Sequence, residues 1–315
     1  MKHFIVCIFV LANASLMAQN ALVRFVDVPE EEKIDIFIDD ALFTAFVYTD
    51  TLKKQVLYPI YTASGTTITR GFPVLPQPGE STDHPHQVGS WFNFGDVEGL
   101  DFWNNSYAIP ASERCKYGTI RFKGIVEKDA ANGRLVVQAE WVDCNNTVLL
   151  EETATYTFAG RLQFRSIVRK SVLTAVNRDI QFNENKEGMF ALRMDKNLED
   201  TATGVYTNSL GDKGGDVWGK RSPWVALSGK KEGEDISVVI IEHPQNVNYP
   251  GWSHARGYGL FATNNLGGRA FGEKNEEVKL LLKKGESLTF SYKVVIKNGS
   301  VINEREINDE SLFGD

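Results

Sequence analysis

Residues 132–168, NGRLVVQAEWVDCNNTVLLEETATYTFAGRLQFRSIV, decide the fold. Leu135, Val137, Ala139 and Trp141 alternate with Val136, Gln138, Glu140 and Val142. Thr153 to Phe158 and then Leu162, Phe164, Ser166 and Val168 continue the rhythm around Gly160. A period of two places one face of an extended chain on a core and the other toward solvent. The same pattern appears early, where Ile34, Ile36 and Ile38 alternate with Asp35, Phe37 and Asp39, and late, from Leu288 to Val294. Ile236 to Ile241 is a continuous apolar run, as expected of a strand deep in a sheet. Asn132-Gly133 and Asn298-Gly299 predict tight hairpins of type I′, which need positive φ at both central residues. Helical periodicity is weak throughout, and its best stretch, Leu42 to Leu52, is crowded with β-branched and aromatic residues. The expectation is an all-β protein, a large antiparallel two-sheet β-sandwich with few or no helices.

The chain has 315 residues, a formal charge of −7 and a pI near 5.4. That balance argues against a phosphate-backbone partner, which needs clustered Lys and Arg, so nucleic acid is not an expected ligand. Residues 1–18 read as a secretory signal: Lys2 and His3 form a basic start, Phe4 to Leu11 an apolar run, and Ala18 a small residue before cleavage. The run is shorter than the roughly 20 apolar residues of a spanning helix, and no later stretch approaches that length, so membrane insertion is not expected. Residues 19–315 are then read as one β-sandwich domain in a periplasmic or secreted protein. Cys115 and Cys144 remain after cleavage, either bridged or buried as free thiols.

Scarce histidines mark the candidate site. Two of the five lie in Asp83-His84-Pro85-His86, and His243 and His254 fall in the block Ile241 to Ala262. Pro85 favours an extended residue before it, and extended residues two apart share a side, so both imidazoles could face one place. Acid/base or metal chemistry needs such a cluster. The plain alternative is a set of histidines bonded to loop carbonyls. Gly71 to His86, with four of the ten prolines, and Asp195 to Trp224 break the strand rhythm and are expected to be ordered loops around the site.

Five of the six tryptophans, all but Trp141, fall in these loop-bearing blocks. Sugar rings lie with their C–H faces on aromatic planes, while carboxylates, amides and guanidinium groups take their hydroxyls. Arg70, Asn93, Asp96, Asp101, Trp103, Arg221, Trp252, Arg256 and Tyr258 are therefore the expected substrate-binding residues, against the alternative of core packing. Asp96 and Asp101, with Glu98, could supply paired carboxylates, but their spacing within one loop equally suits tight turns. GxSxG, Walker and GxGxxG motifs are absent.

Tyr61-Thr-Ala-Ser-Gly-Thr-Thr-Ile-Thr-Arg70, Asp83-His-Pro-His, Gly95-Asp96, Asp101-Phe-Trp103, Gly219-Lys-Arg-Ser-Pro-Trp224, Glu242-His-Pro and His254-Ala-Arg-Gly-Tyr-Gly259 together resemble the DUF6807 family of bacterial secreted proteins. Some of its members carry the label "methane oxygenase PmoA", an activity that does not suit a chain without a membrane span. The resemblance implies a galactose-mutarotase-like supersandwich and work on carbohydrates. Three departures stand out: Gln87 where a third histidine is common, Glu242 where Asp is usual, and no placed C-terminal glutamate base, for which Glu273 and Glu286 are candidates by position only. The resulting expectation is a carbohydrate-binding or carbohydrate-active protein without a cofactor. His84 and His254 would be its acid/base pair, His86 and Asp83 would tune them, and His243 would be a further catalytic candidate. Arg70 and Arg256 would hold substrate oxygens. The alternatives are a mononuclear metal enzyme with His84, His86 and His254 or His243 as ligands of a divalent ion, and a sugar-binding protein without turnover.

Overall fold

A computed structural model describes residues 22–308, so the signal expected at residues 1–18 lies outside the described residues. Two eight-stranded antiparallel sheets face each other. In hydrogen-bonded order, the first contains Val23–Val28, Lys33–Ile38, Ala41–Val47, Val56–Ile60, Ser90–Phe94, Gly188–Arg193, Leu260–Asn264 and Trp252–Arg256. The second contains Val205–Asn208, Trp224–Lys231, Glu234–Glu242, Ser287–Asn298, Phe164–Ala175, Val148–Arg161, Arg134–Val142 and Thr119–Asp129. Ile180–Phe182 and Leu280–Leu282 form a small separate ribbon.

Alternation dictates this layering. Ile34, Ile36 and Ile38 are fully buried, while their neighbours Lys33, Asp35 and Phe37 are only partly covered. Between the sheets, Phe92 of the first meets Trp141 and Phe290 of the second at 6.2 and 5.7 Å, and Phe190 stacks on Tyr292 at 5.0 Å. One ion pair is buried among these rings: Arg169 Nη2 lies 2.8 Å from Glu152, whose second oxygen accepts from Trp141 Nε1. The first sheet is also covered on its other face. There Trp91, Ala191, Leu260 and Ala262 pack with Tyr58, Val88 and Trp103 under the connections between strands. Burial on both faces explains why the central strands Ser90–Phe94, Gly188–Arg193 and Leu260–Asn264 are buried along their whole length.

Local expectations hold in part. Leu42 to Leu52 is the strand Ala41–Val47 followed by the 3-10 turn Asp50–Leu52, as its β-branched content favours. The Asn132-Gly133 hairpin exists, but only Gly133 has positive φ, at +62°. Asp129 instead accepts from the Asn132 amide and side chain, making a longer turn. Asn298-Gly299 is not a hairpin, since Asn298 ends the last strand and the Gly299 amide bonds Asp235 of a neighbour. The α-helix among the described residues is the single turn Glu304–Ile307, capped by Asn303. Cys115 and Cys144 are bridged, with Cα atoms 4.9 Å apart.

Candidate functional site

The segment Ser81 to Gln87 has no secondary structure of its own and is held by two arginines from beneath. Arg70 donates to the Ser81, His84 and Gln87 carbonyls at 3.3, 3.0 and 3.2 Å and to Asp83 Oδ1 at 2.7 Å. Arg193, on the central strand Gly188–Arg193, donates to Gln87 Oε1 at 2.6 Å, to Ser81 Oγ at 3.0 Å and to Asp83 Oδ1 at 3.3 Å. Both guanidinium groups are almost wholly buried. Arginine's planar fork of donors suits such gathering of carbonyls and a carboxylate. Burial by itself would raise the Asp83 carboxyl, but Arg193 and the hydrogen bonds from His84 and Ser81 bring it down to about 2. Asp83 is an anion at neutral pH.

His84 is the exposed member of the cluster. Its Nδ1 lies 2.8 Å from Asp83 Oδ2, its ring stacks on Tyr258 at 5.3 Å and 3°, and its side chain is 40% exposed. With Nδ1–H engaged by Asp83, Nε2 carries the available lone pair. Its φ of +46° falls in the left-handed region, where a non-glycine residue is uncommon. The Gln87 amide and Arg70, both donating to the His84 carbonyl, hold it there. Strain retained by surrounding bonds is a mark of functional positions. Tyr258 is held in turn by Gln87, which hydrogen bonds its hydroxyl, and by Arg193, 4.7 Å from its ring centroid.

His86 points inward. Burial first, and then the nearby groups Lys54, His84, Arg70 and Arg193, lower its pKa to about 2. Lys54 donates to the His86 carbonyl at 2.7 Å and lies 5.6 Å from the Trp91 ring centroid. Burial brings Lys54 down to about 7 against the pull of Asp101. Trp91, Ala191, Ala262 and His254 are register partners across four adjacent strands, so they share the outer face of the first sheet. Three strand spacings put His254 about 14 Å from Trp91. His254 is buried and neutral: burial, Arg256 and Lys186 lower it to about 3, while a hydrogen bond to the Lys186 carbonyl opposes them. Its Nδ1 has no hydrogen-bond partner among the described residues and lies 3.8 Å from Glu187, whose carboxyl burial raises. His86 Nε2, Trp91 Nε1 and Trp103 Nε1 are likewise buried without partners. Unpaired buried polar atoms are rare in folded proteins, and four fall along this one face.

The histidines therefore occupy three places. His84 and His86 adjoin, with ring centroids 5.6 Å apart, and His254 lies on the same sheet face at the far end of the row. His243 is elsewhere and exposed, its Nδ1 accepting from the Gln245 amide as a strand-end histidine does. Among the described residues no group of three or more His, Cys, Asp or Glu side chains is arranged to hold a metal ion, so His84, His86 and His254 do not form a ligand set. Arg70 faces the loop's backbone instead of an open surface. Arg221 likewise donates to the Pro250 and Asn248 carbonyls and covers Trp252 at 4.5 Å. Arg256 is exposed, beside Trp218 at 5.9 Å.

Asp96 and Asp101 serve turns, while Glu98 accepts from the Gln181 amide and pairs with Arg178. Asp96 accepts from the Gly99 amide and Asn183, and Asp101 from the Asn104 amide and side chain. Asn93 and Trp103 are buried, Asn93 donating to the Phe102 carbonyl. Glu242 is buried under bonds from Gly251, Thr263 and Asn265, and Glu286 accepts from the Lys283 amide in a turn. Trp91, Trp224 and Trp252 sit on strands. Sequence reading passed over Arg193, Lys54 and Glu187. Only Arg193 left a trace, as a lone cation ending the apolar strand Gly188–Arg193.

Among solved structures the chain is similar to the GH36 α-galactosidase AgaA of Geobacillus stearothermophilus, solved with raffinose, at 11% identity and TM-score 0.41, covering 88% of this chain and 40% of that one. It thus spans about two fifths of that enzyme's length. A galactose mutarotase-like protein of Clostridium acetobutylicum is similar at 10% identity and TM-score 0.35, covering 89% and 99%. The Slr1438 protein of Synechocystis sp. PCC 6803 is similar at 11% identity and TM-score 0.37, covering 92% and 99%. Curated proteins give no significant match. The model of DUF6807, a family of unknown function, matches residues 33–311, and the chain belongs to that family.

Proposed function

We propose that this protein binds a carbohydrate and carries out proton transfer on it, with His84 as the group that moves the proton and Asp83 as the residue that orients it. The observation that carries this reading is the Asp83–His84 pair: an ionised carboxylate clamped by two buried arginines, bonded to Nδ1 of a half-exposed imidazole whose Nε2 has no hydrogen-bond partner among the described residues. An imidazole oriented through one nitrogen is arranged to accept or deliver a proton through the other. Exposed Arg256, near Tyr258, offers a donor for hydroxyl-bearing substrate. His254 and His86 are neutral at physiological pH, so they serve as hydrogen-bonding groups and not as acids. The reaction class is proton transfer at a sugar C–O or C–H bond, as in epimerisation, elimination or hydrolysis. Export to an oxidising compartment belongs to the same reading and is supported by the Cys115–Cys144 bridge.

The test is to incubate the purified protein with a panel of mono- and oligosaccharides in D₂O and follow exchange, epimerisation or bond cleavage by NMR. His84→Asn is expected to lower any turnover by roughly 10²–10⁴-fold, the range for loss of a general acid/base, while substrate binding changes far less. Turnover that survives His84→Asn at the parental rate overturns the assignment. Binding with no turnover by the parent leaves a binding protein and removes the catalytic half of the proposal.

A further inference from the structure

A large open hollow lies on the same outer face of the first sheet, beside the His84 loop and not beneath it. It has a volume of about 1000 Å³ and is roofed on one side by Gly71 to Gln77. Ligand pockets for drug-sized molecules run to about 300–1000 Å³, so this one exceeds the need of a single sugar ring. Three tyrosines line it: Tyr58, whose hydroxyl donates to the Gly71 carbonyl, half-buried Tyr61, and Tyr107, which is 55% exposed. Val74 and Leu75, 49% and 64% exposed, extend the apolar rim. Isolated exposed apolar side chains need no explanation, but a cluster around one concavity marks a binding surface.

The charged lining selects the occupant. Two lysines, Lys33 and Lys231, face four acids, Glu31, Asp35, Asp195 and Glu232, and both lysines are already paired, Lys33 with Glu31 and Asp35 and Lys231 with Asp195. An anionic chain would meet net negative charge with no free cation, whereas a neutral polyhydroxyl chain finds aromatic faces and carboxylate acceptors. The hollow is also continuous with other features. Tyr58 packs in the same apolar cluster as Trp91 and Trp103, against which Tyr258, the ring under His84, also packs. At the other end Thr51 and Tyr107 also line a second hollow of about 460 Å³.

We infer that the substrate is a neutral oligosaccharide or polysaccharide chain, whose units beyond the one at His84 lie in the tyrosine-lined groove and cross Tyr107 toward the second hollow. This rests on the carbohydrate reading above and adds chain length and charge to it. The experiment compares, by calorimetry, linear hexasaccharides of glucose, galactose, xylose and mannose with their monosaccharides and with polygalacturonate. At least one neutral hexasaccharide is expected to bind roughly tenfold or more tightly than its monosaccharide. Tyr107→Ala is expected to remove that gain and leave monosaccharide binding unchanged. Because Tyr107 is mostly exposed, its loss leaves the fold intact, which a thermal melt verifies; Tyr61→Ala gives a second, independent reading. Equal affinity for chain and monosaccharide, preference for polygalacturonate, or a chain-length gain that persists in both variants overturns this inference alone. Failure of every sugar to bind overturns it together with the carbohydrate reading.

Discussion

His254 shows how much a single buried ring contributes to the character of this face. Among the described residues it has no charged partner within hydrogen-bonding distance, Glu187 lying 3.8 Å away, and burial with two nearby cations holds it neutral, near 3 against 6.5 in free solution. Between those values the unfolded chain binds a proton that the folded chain does not. Stability is therefore complete above pH 6.5 and falls as pH drops toward 3. At pH 5 the cost is about 2 kcal/mol for this one group. Asp101 and Glu187, whose carboxyls burial raises, have the opposite sign, so only a comparison with a variant isolates the imidazole. In urea unfolding, His254→Asn is expected to shrink the difference in stability between pH 7 and pH 5 by about 2 kcal/mol. An unchanged difference would mean that His254 takes up its proton in the folded state. The sequence singled out this residue by its scarcity and its neighbours, yet scarcity could not say that it would be neutral. That depends on a covering of side chains from separate strands and connections.

Among the elements, the connection Ser81 to Gln87 was legible as a loop from its prolines and as a site from its histidine pair. What holds it was not. Arg70 stood out as a candidate to hold substrate oxygens, and the structure gives it a supporting position under the backbone instead. Arg193 is more than a hundred residues away, and only pairing between strand Ser90–Phe94 and strand Gly188–Arg193 brings it there. Long-range register of this kind is set by the whole sheet and leaves little local signal. Its contribution is testable. Arg193→Lys keeps the charge but loses the fork that reaches Gln87, Ser81 and Asp83 together. We expect a loss of about 2 kcal/mol in stability, from hydrogen bonds to charged groups, and faster amide exchange at Gln87, whose N–H bonds the His84 carbonyl. Exchange in strand Phe164–Ala175 of the other sheet should follow only the global loss. Parental protection at Gln87 in the variant would show that Arg70 alone fixes the loop.

At the scale of the whole molecule, period-two alternation made the sandwich readable because each strand had to declare an inner face, as Ile34, Ile36 and Ile38 do. The central strands of the first sheet were harder, since both faces are covered and the alternation vanishes. The covering is supplied by connections between strands, most of them joining two strands of the first sheet and one crossing to the other sheet. The crossing connection leaves strand Ser90–Phe94, carries Asp101, Trp103 and Tyr107, and enters the second sheet at Thr119–Asp129. The Cys115–Cys144 bridge ties the end of that connection to the turn following Arg134–Val142. It closes a loop of 29 residues, for which chain entropy in the unfolded state gives a stabilisation of about 3–4 kcal/mol. The double variant Cys115→Ser, Cys144→Ser is expected to lose that amount in urea unfolding. Because Cys144 and Tyr107 line one hollow, the variant should also show faster proteolysis between residues 104 and 116, with the sheets unaffected. Equal stability of the parent with and without a thiol reductant would show that the bridge constrains neither state, and the connection would then be held by its backbone bonds from Asp101 to Lys116 and Gly118 alone.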